Sequence, residues 1–261
     1  MLFNGSDADV VLVSGEEDTT KSPPVHFKAS PFFKALFELP QPTSSDTDQG
    51  LPTCLLQLIY PIPDPPVTCL DLDSLSALLS VACKYDVAAA ASRIATILSQ
   101  PQFVGTAPTR IYAIATRYEM EDLAKLASSY TLSIDIIDAP LCDDLKYITA
   151  YSYHRLLNLH RQRAKSALKL IQSAPPDSVK CVQCNGSTYS AFLHPQWWTE
   201  FQKRAAEQLA IRPTSEVIFG LEFLSEVVRA CGCGRCAQSL LLGHDFLASL
   251  KADIDALPKT I

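Results

Sequence analysis

The chain has no membrane-length apolar run. None approaches the roughly 18 residues a span needs, and the best stretches, such as Ala77 to Cys83, belong to periodic helices. No basic n-region followed by an apolar h-region opens it, so no secretory signal is expected. It also lacks an excess of positive charge. With 22 Lys and Arg against 28 Asp and Glu the net charge is −6 and the pI about 5.4. That disfavours a broad nucleic-acid footprint, which needs clustered cations. No Gly-rich phosphate loop, H-E-x-x-H pair or nucleophile elbow is present. None of the five histidines lies in a recognisable acid–base or nucleophile setting, so no catalytic residue is assigned.

At 261 residues and 48% hydrophobic, the chain can bury a real core in one large domain or two modest ones. Nine cysteines make an odd number in a chain too large for a small disulfide scaffold. A reducing compartment, cytoplasmic or nuclear, is therefore expected. Cys54, Cys69, Cys83 and Cys142 are scattered singly and read as small buried apolar residues.

Asp7 to Gly15, "DADVVLVSG", carries the β-favouring run of a strand with a turn-forming glycine behind it. Ser30-Pro31 is a helix entry, and Phe32, Phe33, Leu36 and Phe37 follow at helical spacing. A turn-rich stretch leads to "TCLLQLIY", which fits a buried strand or a helix, and then to the rigid "PIPDPP". From Asp71 to about Gln172 the pattern is mostly helical, with Leu75, Leu78, Leu79, Ala82 and Tyr85 on one face. "ACKYDV" at 82–87 recurs as "ATRYEM" at 115–120, 33 residues later, which suggests stacked helical hairpins.

Between Leu145 and Pro176 there is no acid, while Lys146, Arg155, Arg161, Arg163, Lys165 and Lys169 accumulate. A solvated helix face with Leu156, Leu159 and Leu170 inward is the main expectation, and a basic docking surface the alternative. Further on, Trp197, Trp198, Phe201, Ala205 and Leu209 form another helical stripe.

"DADVVLVSG", "VHFKASPFFKALFELP", "YPIPDPP" and "LLSVACKYDV" occur in an order that resembles a BTB/POZ domain, more narrowly that of fungal BTB proteins. The family's spacing between Val-His and Ser-Pro is longer by about four residues, about one helical turn. The resemblance therefore implies a shortened domain over 7–100, a helical extension over 101–176 and a cysteine-containing helical tail over 177–258. The implied fold class is α+β and mainly helical: a small BTB/POZ-like α/β module followed by an all-helical extension. The implied function is non-enzymatic: self-association, or adaptor work on a cullin-type ubiquitin ligase scaffold. Phe32, Phe33, Leu36, Phe37 and Tyr60 would then be core or interface residues.

The tail carries two C-x-x-C pairs, Cys181 with Cys184 and Cys233 with Cys236, plus Cys231, with a 48-residue spacer between the pairs. A tetrahedral zinc ion takes four thiolates, and each C-x-x-C turn can present two. Gly232 and Gly234 would let the backbone turn around the sulfurs. Structural zinc is the expected cofactor, with Cys231 as an alternate ligand to Cys233 and His194 as an outside candidate. Free thiols and redox chemistry are the alternatives. Two rival functions stay open: a metal- or thiol-dependent enzyme using these cysteines, and a nucleic-acid-associated regulator acting through the basic helix 146–169.

Overall fold

The computed structural model describes residues 71–173, 179–185 and 194–261. Eleven α-helices follow one another among them. They are α1 (Leu72–Lys84), α2 (Ala88–Leu98), α3 (Pro101–Val104), α4 (Pro108–Arg117), α5 (Glu121–Thr131), α6 (Ala150–Ile171), α7 (Gln196–Ile211), α8 (Glu216–Phe219), α9 (Leu221–Ala230), α10 (Cys236–Leu242) and α11 (His244–Asp255). A 3-10 turn, Asp143–Tyr147, precedes α6.

Among the described residues there is no strand. The expected α+β class is therefore corrected: no sheet exists there for a BTB-like α/β module. The physical reason is visible in the period of the apolar residues. Leu75, Leu78, Leu79 and Ala82, then Ala90, Ile94, Ile97 and Leu98, are buried at spacings of three and four, which only a helix brings to one side. The expected strand at 7–15, the helix bearing Phe32, Phe33, Leu36 and Phe37, and Tyr60 lie outside the described residues.

The chain divides into two compact units, Met1–Thr106 with Tyr118–Leu123, and Ala107–Arg117 with Ala124–Ile261. In the first, Asp71 caps α1 by accepting from the Ser74 amide at 2.7 Å. The helix ends at a residue in left-handed conformation, Asp86 with φ +52°, and Val87 N–H reaches back to the Ala82 carbonyl at 2.8 Å. That is the 6→1 bond of a Schellman ending, after which α2 runs back against α1.

In the second unit, α6 is the longest helix and organises its neighbours. Its inward face is Leu156, Leu159, His160, Arg163, Ala164, Ala167 and Ile171. Leu156 and Leu159 are placed as expected, and Leu170 is only partly buried. Of the basic residues, Lys146, Arg161, Lys165 and Lys169 are exposed, whereas Arg163 is buried. Its guanidinium donates to the carbonyls of Pro213 at 2.8 Å, Ile254 at 2.9 Å and Pro258 at 2.9 Å, and to that of Leu257. Ile254 lies in the last turn of α11, where its carbonyl also accepts from Leu257 N–H at 3.2 Å, and Leu257 and Pro258 follow the helix. A cation there also faces the negative end of the helix dipole.

Upstream, Arg110 Nε donates to Asp144 at 2.6 Å, and the Tyr112 hydroxyl donates to the Ser152 carbonyl at 2.7 Å, fixing α4 to the 3-10 turn and the start of α6. The core of the tail gathers on α7. Trp197, Trp198, Phe201, Ala205 and Leu209 are all fully buried. Trp198 stacks on Phe201 with ring centroids 5.2 Å apart, and Phe246 meets Trp198 edge-on at 5.3 Å. Trp197 donates its indole N–H to Ser239 at 3.0 Å, which ties α7 to α10.

Candidate metal centre

The two C-x-x-C pairs meet. Cys181, Cys184, Cys233 and Cys236 place their sulfurs within 4.8 Å of one another. Cys181 and Cys233 Sγ are 3.6 Å apart, as are Cys184 and Cys236 Sγ. All four are free thiols, and these separations far exceed the disulfide bond length of about 2.05 Å. These two distances are close to a tetrahedron's edge instead: zinc–sulfur bonds of about 2.3 Å imply edges of about 3.8 Å. The four cysteines thus form a cluster that could hold a metal ion.

Local sequence explains each half. In the first, Asn185 N–H bonds the Cys181 carbonyl at 3.2 Å and Asn185 Oδ1 accepts from Cys181 N–H at 2.9 Å, closing the turn from both sides. In the second, Cys231 ends α9, and Gly232 turns the chain with φ +69°, a conformation that favours glycine. Cys236 N–H then bonds the Cys233 carbonyl at 3.2 Å as α10 begins. Gly234 has open space at its missing Cβ and no positive φ, so only one of the two glycines is demanded by the backbone.

The start of α7 supplies the electrostatics. Gln196 N–H donates to Cys184 Sγ at 3.3 Å, and the Trp197 amide beside Cys236 works against the upward push of burial on that thiol. These first-turn amides have no carbonyl partner within their own helix, and they lie at its positive end. Four thiolates around a dication carry a net charge of −2, which such donors offset. Burial pushes the thiol of Cys184 up to about 11 and that of Cys236 higher still. At Cys181 burial acts in the same direction, but donors from Gln183, Cys184 and Cys233 outweigh it and bring the thiol down to about 7. A cation bound at this cluster would displace the thiol protons.

Cys231 is not one of the four. Its Sγ donates to the Val228 carbonyl at 3.2 Å, so the second pair is Cys233 with Cys236. His194 is exposed and also outside the cluster. Cys83 is exposed and Cys142 half-buried, against the expectation that both are buried apolar residues, while Cys54 and Cys69 lie outside the described residues. The sequence had no signal for the Gln196 and Trp197 amides, whose role arises only when α7 begins at the cluster. Asn185 directly follows the C-x-x-C in the sequence. No family model matches the chain, and no curated protein or solved structure is found to be significantly similar to it.

Proposed function

We propose that the chain is a non-catalytic protein-interaction scaffold whose C-terminal helices are clamped by one structural zinc ion on Cys181, Cys184, Cys233 and Cys236. The observation that carries this reading is the convergence of four sulfurs, in two pairs each 3.6 Å apart and 52 residues apart in sequence, all within 4.8 Å of one another. Four thiolates fill a tetrahedral zinc and leave no position for a reacting water, which favours a structural ion over a catalytic one. The clamp joins the segment at 181–184 to the start of α10, beside the N-terminus of α7. Exposed Leu221, Leu241 and Leu242 supply apolar surface of the kind that a second chain covers.

The test is metal analysis of the purified chain together with cobalt substitution. One zinc per chain, and an intense thiolate-to-cobalt absorption typical of four sulfurs, support the reading. A metal-free folded chain, or a cobalt spectrum with an open coordination position, refutes it. Light scattering across a concentration series addresses the scaffold: a reversible dimer supports self-association, and a monomer throughout removes it.

A further inference from the structure

The outward face of α6 carries a row of cations that its neighbours leave without acids. Arg161, Lys165 and Lys169 are exposed at successive steps of four residues, and Tyr151, 78% exposed, precedes them on the same helix. At 3.6 residues per turn these side chains fall within about 80° of arc, so they share one side of α6. His154, Asn158 and Gln162 are also exposed there, and no acid interrupts the face. On the helices packed beside α6 the cations are paired. Arg204 of α7 meets Glu200 at 2.6 Å and Glu226 at 3.5 Å, and Lys251 of α11 meets Asp255 at 2.8 Å. Among the described residues Arg161, Lys165 and Lys169 have no carboxylate partner. Like charges four residues apart repel along a helix, and an anion laid over the row relieves that repulsion.

We infer that this face is a docking site for an extended acidic segment of a partner protein, with one apolar side chain of that segment seated on Tyr151. The charge row calls for carboxylates, and its spacing fits this occupant. Residues four apart on a helix lie about 6 Å apart along its axis. Alternate residues of an extended chain point to one side and lie about 6.6 Å apart. Carboxylates at every second position of such a chain therefore meet Arg161, Lys165 and Lys169 in turn. Between Tyr151 and Arg161 the helix rises about 15 Å, which an extended chain covers in about four or five residues. The motif is thus one large apolar residue, a spacer of that length, then three alternating acids. A nucleic acid fits less well. The cations run in single file over about 12 Å, and the net charge of −6 on the chain repels a long polyanion. Exposed ion pairs are individually weak, so docking needs the whole row together with the tyrosine. The inference rests on the scaffold reading above and gives it a partner, although α6 carries none of the four sulfurs.

The probe is a fluorescein-labelled peptide with one tryptophan, glutamates at the fifth, seventh and ninth positions after it, and serine and glycine elsewhere. Its anisotropy is followed as the full chain is added at low salt. Saturable binding is expected, several-fold weaker in Tyr151→Ala and several-fold weaker when salt is raised to about 0.3 M. The combined variant Arg161→Glu, Lys165→Glu, Lys169→Glu should bind about tenfold more weakly or worse. A peptide with glutamine in place of each glutamate should lose as much, and that comparison decides even where a variant does not fold. Absence of saturable binding, or binding that neither the charge reversal nor the glutamine peptide weakens, overturns the inference. A labelled single-stranded oligonucleotide that binds more tightly than the peptide, and is lost in the same variant, overturns it in favour of nucleic acid. Metal content separates this inference from the clamp. A zinc-bearing chain that ignores the peptide overturns the inference alone, and a metal-free folded chain that binds it overturns only the clamp.

Discussion

His160 and Arg163 show how much a single buried side chain on α6 can govern. The Thr131 hydroxyl donates to the Ser128 carbonyl at 2.7 Å, so its oxygen has only acceptor capacity left for His160 Nε2 at 3.1 Å. His160 is therefore held with its proton on Nε2. Burial brings its pKa down from 6.5 to about 4, against a weaker opposing pull from Asp135. The unfolded chain takes up a proton near the ordinary value, while the folded chain takes it up only near pH 4. The contribution of His160 is thus complete above about pH 6.5 and is lost as pH falls toward 4, to the extent of about 3 kcal/mol. Urea denaturation of the unsubstituted chain and of His160→Gln at pH 7.5, 6 and 5 checks this. The difference between the two isolates His160 from any acid loss of metal, and parallel pH dependences would refute it. Arg163→Met leaves carbonyls of Pro213, Ile254, Leu257 and Pro258 without their shared donor. A loss of about 2–4 kcal/mol is expected, visible as a lowered denaturation midpoint. Arg163→Lys recovers little, because one ammonium cannot span the fan of carbonyls that a planar guanidinium meets.

Element by element, legibility followed periodicity. The stripe Trp197, Trp198, Phe201, Ala205, Leu209 could be read directly, because a residue that recurs every three or four positions has one helical solution. The two C-x-x-C pairs could be read as one site, because thiolate ligands come in such turns. Arg163 could not be told from Arg161 or Lys165 by type or spacing, since its inward direction depends on carbonyls from Pro213 and from the end of α11. The α+β class failed for a related reason: it was carried by motifs before Asp71, whereas the described helices follow their own apolar period. The weak repeat proved to be a backbone repeat. Asp86 and Glu119 occupy the fifth place of "ACKYDV" and "ATRYEM", and their φ angles are +52° and +56°. Both copies thus end a helix with a left-handed residue that is not glycine, at a cost of about 1–2 kcal/mol each. Glu119 is exposed, so replacing it disturbs no packing. Glu119→Gly is expected to raise stability by about 0.5–1 kcal/mol, the strain relieved exceeding the entropy that glycine adds to the unfolded chain. Glu119→Ala, which keeps a Cβ, is the control and should give no such gain in thermal denaturation.

For the whole molecule, the decisive property is that the sulfur cluster and the aromatic core of the tail are built on the same residues' neighbours. Gln196 donates its backbone amide to Cys184 Sγ, while the next two residues, Trp197 and Trp198, sit at the centre of the packing. Cys181, Cys233 and Cys236 belong to the same buried cluster as Phe201, Leu209 and Ile254. With zinc bound, removal of the ion leaves buried thiolates in mutual repulsion until they take up protons, and it frees the 181–184 segment from α10. Metal loss is therefore expected to loosen the second unit cooperatively rather than to open a loop. A chelator strong enough to strip tetrathiolate zinc should lower the thermal midpoint and accelerate amide exchange along α7, α10 and α11 together. Helices α1 and α2 belong to the other unit and contain none of the four ligands, so their exchange should change far less. Cys236→Ser should reproduce the pattern without chelator, because it removes one of the four sulfurs. If chelator and Cys236→Ser speed exchange only at 181–185 and 231–236, the ion is a local staple on an already stable helical core. If α7, α10 and α11 lose protection together, the ion is part of what folds them.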